Sequence, residues 1–123
     1  MQTDGKDFVD LKGTGCSIQP CQKMERSIWL GPDHIRMRLD EGMARKVIDF
    51  LSRALNGEQL ELQPFSAGGH DLAGNTCIGR ATEGALHLGI TLGFDNRVRQ
   101  PMLLDRKMAE VLLSHLEAFV SAG

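Results

Sequence analysis

Tyrosine is missing from this chain and tryptophan occurs once; aromatic residues make up only 5% of the sequence. A surface that stacks successive nucleic-acid bases on aromatic rings therefore has little to be built from. Excess positive charge is missing too, with 14 Lys and Arg against 16 Asp and Glu and a net charge of −2. A protein that coats nucleic acid by neutralising phosphates is normally more basic. No stretch approaches the roughly 18 consecutive apolar residues of a membrane-spanning helix. The opening segment, Met1 to Asp10, is polar and acidic and contains no apolar run of the kind a secretory leader needs. These absences predict a cytoplasmic protein with no membrane partner.

Cysteine is scarce, and its count is odd: Cys16, Cys21 and Cys77. An odd number without a secretory signal points to free thiols rather than a disulfide framework. With His70 they could supply four zinc ligands, but Cys-x4-Cys and His-x6-Cys are not the spacings of a zinc finger. The expectation is inert thiols, no metal and no cofactor. The glycine-rich stretches Gly13-Thr14-Gly15 and Ser66-Ala67-Gly68-Gly69-His70 lack the phosphate-loop ending and the dinucleotide spacing. Neither a Gly-x-Ser-x-Gly elbow nor a His-Glu-x-x-His pair occurs, so no catalytic residue is assigned. A small enzyme or ligand site remains an alternative in residues 66–83, where His70, Asp71 and Cys77 are nucleophile and base types.

What the chain does have is an ordinary globular composition, 41% hydrophobic and 24% charged, over 123 residues. That is enough for one domain with a single core. It also carries an internal repeat. Ile28-Trp29-Leu30-Gly31-Pro32-Asp33 resembles Ile90-Thr91-Leu92-Gly93-Phe94-Asp95, and Met37-Arg38-Leu39-Asp40 resembles Met102-Leu103-Leu104-Asp105. Met43-Ala44, Val47-Ile48 and Leu51 then match Met108-Ala109, Leu112-Leu113 and Leu116. Apolar matches follow from periodicity alone. The paired Gly31/Gly93, Asp33/Asp95 and Asp40/Asp105 do not.

Each copy reads as strand, turn, strand, helix. Gly31 to His34 suits a type I turn with Pro32 presetting φ, which pairs Leu30 with Ile35 and sets Trp29 opposite Arg36. Asp40 and Asp105 stand where helix N-caps belong. Apolar stripes follow over about residues 41–55 and 106–120, and Asn56-Gly57 supplies the first stop. Pro101 marks a bulge or an edge strand. The predicted fold is α+β: a duplicated strand-turn-strand-helix unit forming a mainly antiparallel four- to five-stranded sheet with two helices on one face. The single domain 1–123 divides into a polar N-terminal arm over 1–24 and a first ββα unit over 25–57. A Gly-rich connector over 58–85 and a second unit over 86–123 complete it. Phe8, Val9 and Leu11 are placed to dock the arm as an edge strand.

Strand alternation puts Trp29, Arg36 and Arg38 of the first unit on the sheet face opposite the helices, with His87, Thr91 and Arg99 of the second. Trp and Arg are enriched at binding hot spots. Arg106 and Lys107 open the last helix, where cations oppose the macrodipole; with Arg97 and Arg99 they make a basic group, and Arg36, Arg38, Arg45 and Lys46 make a matching one in the first unit. The candidate binding residues are thus Trp29, Arg36, Arg38, His87, Arg97, Arg99, Arg106 and Lys107. They predict a non-enzymatic interaction module that binds a protein partner or itself, as a homodimer, through the open sheet face. A nucleic-acid accessory protein using the paired basic groups is the alternative.

Overall fold

The computed structural model describes residues 5–21, 26–33, 36–69, 76–83, 88–94 and 101–121. Nine strands and two helices occur among them. The first half holds β1 (Lys6–Val9), β2 (Gly15–Cys21), β3 (Ser27–Pro32), β4 (Met37–Asp40) and α1 (Glu41–Leu55). The second holds β5 (Leu60–Ser66), β6 (Gly68–Gly69), β7 (Thr76–Glu83), β8 (Leu88–Phe94), β9 (Met102–Leu104) and α2 (Arg106–Ser121). All pairings are antiparallel. The class is α+β, as the pattern predicts. The strands fall into two sheets, β1-β2-β3-β4-β6 and β5-β7-β8-β9.

The alternation that signals these strands also builds the core. Ile28, Leu30, Met37, Leu39, Ile90, Leu92, Met102 and Leu104 are all buried, at one-residue spacings along their strands. The helices meet them with Ala44, Val47, Phe50, Leu51 and Ala54 on α1 and Ala109, Leu112, Leu116 and Phe119 on α2. The helices pack on each other; α1 also touches β5 and β4, and α2 touches β8, β2 and β9. Phe50 lies off the expected stripe yet is buried. Its ring presses on Gly79 of β7, where a Cβ would stand 3.0 Å from the ring. The absent side chain makes that approach possible.

The caps form as expected. Asp40 Oδ1 accepts from the Met43 amide at 2.8 Å, and Asp105 Oδ1 accepts from the Met108 amide at 2.8 Å. The arm supplies β1, which docks Phe8 and Val9 at a sheet edge as expected, and also β2; the connector supplies β5, which begins at Leu60, together with β6 and β7. The first hairpin also departs from expectation. β3 does not turn at Gly31 but runs on through Pro32, because Gly31 and Pro32 pair with Ser17 and Cys16 of β2. The register becomes Leu30 with Met37 and Trp29 with Arg38, two residues along from the predicted pairing. Pro101 precedes β9, which stands at the edge of its sheet and, among the described strands, forms its ladder with β8.

The duplication reaches further than the sequence match. Phe8 pairs with Cys16 across β1 and β2, and Phe65 pairs with Cys77 across β5 and β7. Gly31 and Gly93 share a positive φ, 141° and 156°. Each half also reaches into the other's sheet. After β5 the chain crosses at Ala67 into β6, where Gly68 pairs with Arg38 of β4. After β1 it continues to Leu11, whose amide donates to the Leu103 carbonyl of β9 at 2.9 Å.

The second crossing is anchored by Asp10, which is 4% exposed. Its Oδ1 accepts from the amides of Lys12 and Thr14, both at 2.9 Å, and its Oδ2 from the Leu103 amide at 3.2 Å. Lys12 Nζ adds a bond to the Pro101 carbonyl at 2.7 Å. One carboxylate thus folds the β1–β2 turn and fastens it to the four-stranded sheet.

Candidate functional site

Residues that alternate with the buried Ile28, Leu30, Met37 and Leu39 lie on the other face of the five-stranded sheet, away from the helices. Across that face Gln19, Trp29, Arg38 and Gly68 stand in register on β2, β3, β4 and β6. Trp29 is half-buried, as are Arg36 and Arg38. Arg36 arrives diagonally from just before β4, and its guanidinium carbon stands 5.4 Å from the indole centroid. Arg36 therefore meets Trp29 in spite of the changed register. Arg36 Nη1 also donates to Gln19 Oε1 at 3.2 Å, tying β4 to β2 over the indole strand. Arg38 lies along Gly68, where a Cβ would meet its Nη2 at 3.2 Å.

This arrangement gathers an indole, two guanidinium groups and a primary amide on a backbone fixed by sheet hydrogen bonds. Ser17 and Ser27 flank Trp29 on the same face, and both hydroxyls are buried with no hydrogen-bond partner among the described residues.

The remaining sequence candidates separate. Arg106 is exposed at the start of α2, and its Nη1 donates to the Leu55 carbonyl at 3.0 Å. The cation that opposes one helix dipole thus completes the C-terminus of the other, where positive charge is favourable. Lys107 is exposed on α2. His87, Arg97 and Arg99 lie outside the described residues, as do His70 and Asp71. Arg45 and Lys46 belong to α1 rather than to the sheet face. Arg45 pairs with Glu41 at 2.9 Å, and Lys46 Nζ stands 5.3 Å from the Phe65 ring centroid. Gln19 and Gly68 were not anticipated, although Cys16 and Ile18 alternating with Ser17 and Gln19 already carry a strand period.

Other places for chemistry are less developed. Burial pushes the Cys77 thiol up to about 12. Burial first, and then the negative charge of Asp10, push Cys16 up to about 11. Both thiols are free and buried, and at neutral pH neither is a thiolate nucleophile. No group of three or more His, Cys, Asp or Glu able to hold a metal occurs among the described residues. A groove of about 570 Å³ runs between α1 and β5, lined in part by Lys46, Asp49, Arg53 and Glu61 over Phe50 and Leu62. Most of its charges neutralise one another or neighbours, as Arg53 does with Asp49 and Glu58, and Glu61 with Arg80. No described helix is long and apolar enough to cross a membrane. Comparison with protein-family models, curated proteins and solved structures finds no match.

Proposed function

We propose that this chain is a small non-enzymatic interaction module of the cytoplasm. It binds a protein partner, or a second copy of itself, through the outer face of its five-stranded sheet. The observation that carries the reading is Trp29, the chain's one tryptophan, half-buried on that face with Arg36 over its ring and Arg38 and Gln19 in register beside it. Trp and Arg anchors of this kind dominate binding energy when a partner covers them. Both helices pack on the opposite, core side of the strands, so a partner on the outer face would not compete with them. The buried, protonated thiols give the alternative of a cysteine-based site no support.

The test is light scattering of the wild-type chain and of Trp29→Ala/Arg36→Ala, each checked for unchanged circular dichroism. A two-subunit wild-type mass that falls to one subunit in the variant supports self-association. A single-subunit wild-type mass leaves the partner form, which is read by quenching of Trp29 fluorescence. Iodide should quench more strongly than caesium, because guanidinium groups flank the indole. An indole inaccessible to both ions in a single-subunit protein would sink the proposal. Retention on heparin that weakens steeply with salt would move the reading to nucleic acid.

A further inference from the structure

The two halves form an intramolecular pair whose contacts are reciprocal. Each half contributes a strand hairpin sheet and a helix, and each sends the continuation of its first strand to the last strand of the other. Gly68 of the second half pairs with Arg38 of the first; Leu11 of the first half bonds to Leu103 of the second. The helices α1 and α2 close the same boundary, and Arg26 reaches from the first half over Phe119 of α2, its centroid 5.1 Å away, and donates to the Phe119 carbonyl. Only residues 56–59 join α1 to β5.

We infer that this boundary is an interface for a second copy of the chain: the first half of one molecule takes up the second half of another, giving a twofold domain-swapped dimer. Every contact across the boundary is retained in such an exchange, so the open and closed forms differ at the hinge alone. The hinge itself is held in reversal by identifiable bonds. Gly57 has φ of 92° and donates to the Ala54 carbonyl at 3.0 Å, and the Glu58 amide donates to Arg53 at 3.1 Å. The Glu58 carboxylate accepts from Arg53 Nε and Nη2, both at 3.1 Å. A β-branched residue at position 57 disfavours that φ whatever space surrounds it. It should open the reversal and extend the chain from α1 into β5.

The surface is distinct from the outer face that carries Trp29, so the test is run on Trp29→Ala/Arg36→Ala, in which the outer face cannot hold a dimer. Gly57→Val is refolded at high micromolar concentration beside Gly13→Val. Gly13 also has a positive φ, 84°, and open space around its Cβ position, but it lies in the β1–β2 turn, away from the 56–59 hinge; straining that turn tests the boundary contacts at Leu11 and Asp10 without opening the hinge. The expected result is a several-fold rise in two-subunit mass for Gly57→Val alone. That dimer should survive dilution to low micromolar concentration and revert only after unfolding. A folded Gly57→Val of single-subunit mass, a dimer that falls apart on dilution, or an equal rise in Gly13→Val overturns the inference. Should Gly57→Val fail to fold, the parent is refolded at increasing concentration. A dilution-resistant dimer that grows with refolding concentration supports the exchange, and its absence overturns it.

Discussion

At the scale of single residues, the most demanding position is Asp10, not the tryptophan. A buried carboxylate is tolerable when backbone amides converge on it, because hydrogen bonds to a charged group offset the desolvation. Asp10 receives three, and one of them comes from the other half. Asp10→Asn keeps the shape but turns one acceptor into a donor, which then faces an amide proton. Urea denaturation should show a loss of about 3 kcal/mol for Asp10→Asn or Asp10→Ala, two or more hydrogen bonds' worth. A loss no larger than that of an exposed substitution would mean the hub carries little. Ser17 runs the other way. Its hydroxyl is buried without a partner among the described residues, so Ser17→Ala should stabilise by about 1 kcal/mol. The same denaturation assay reads it, and destabilisation would show that the hydroxyl has a use.

At the scale of elements, the two N-caps make a matched experiment. Asp40→Ala and Asp105→Ala remove the same bond, at the same 2.8 Å, from the same place in each half. Each should cost about 1 kcal/mol, and the two losses should be of similar size in calorimetry; a large inequality would show that one helix leans on tertiary packing far more than its twin. These caps were legible because Asp followed by a 3.6-residue apolar stripe is a local signal. So were β4 and β8, in which Met37 and Leu39, and Leu88, Ile90 and Leu92, alternate with other residues. The register of the first hairpin was not legible. Gly31-Pro32 has turn chemistry, but two residues of β2 claim it as strand, and a tertiary partner outweighs local preference. In residues 6–21 the apolar Phe8 and Val9 marked an edge strand, but β2 beside it was not read. Gln19 was lost with it. The cluster of Trp29 with Arg36 survived the error in register because a long Arg side chain reaches diagonal as well as opposite neighbours.

At the scale of the whole molecule, the two halves place equivalent thiols at equivalent points, Cys16 beside Phe8 and Cys77 beside Phe65. Both are buried, and both titrate above the ordinary cysteine range, Cys16 at about 11 and Cys77 at about 12. An acid whose folded pKa lies above its unfolded value holds its proton more tightly when folded. Its contribution is intact below the unfolded value and is lost as pH rises through the folded one. Stability should therefore be insensitive to these groups at neutral pH and should fall between about pH 9 and pH 12. Urea midpoints across that range check the direction, and Cys16→Ser/Cys77→Ala should flatten the decline. The same burial makes the thiols reporters of opening. A disulfide reagent at pH 8 should label neither in the folded chain except through unfolding, so its rate should rise with urea in step with the unfolded population. Fast labelling of Cys77 without urea would show that the second half opens on its own. In that case the reciprocal strand exchange at Leu11 and Gly68 does not bind the halves into one cooperative unit.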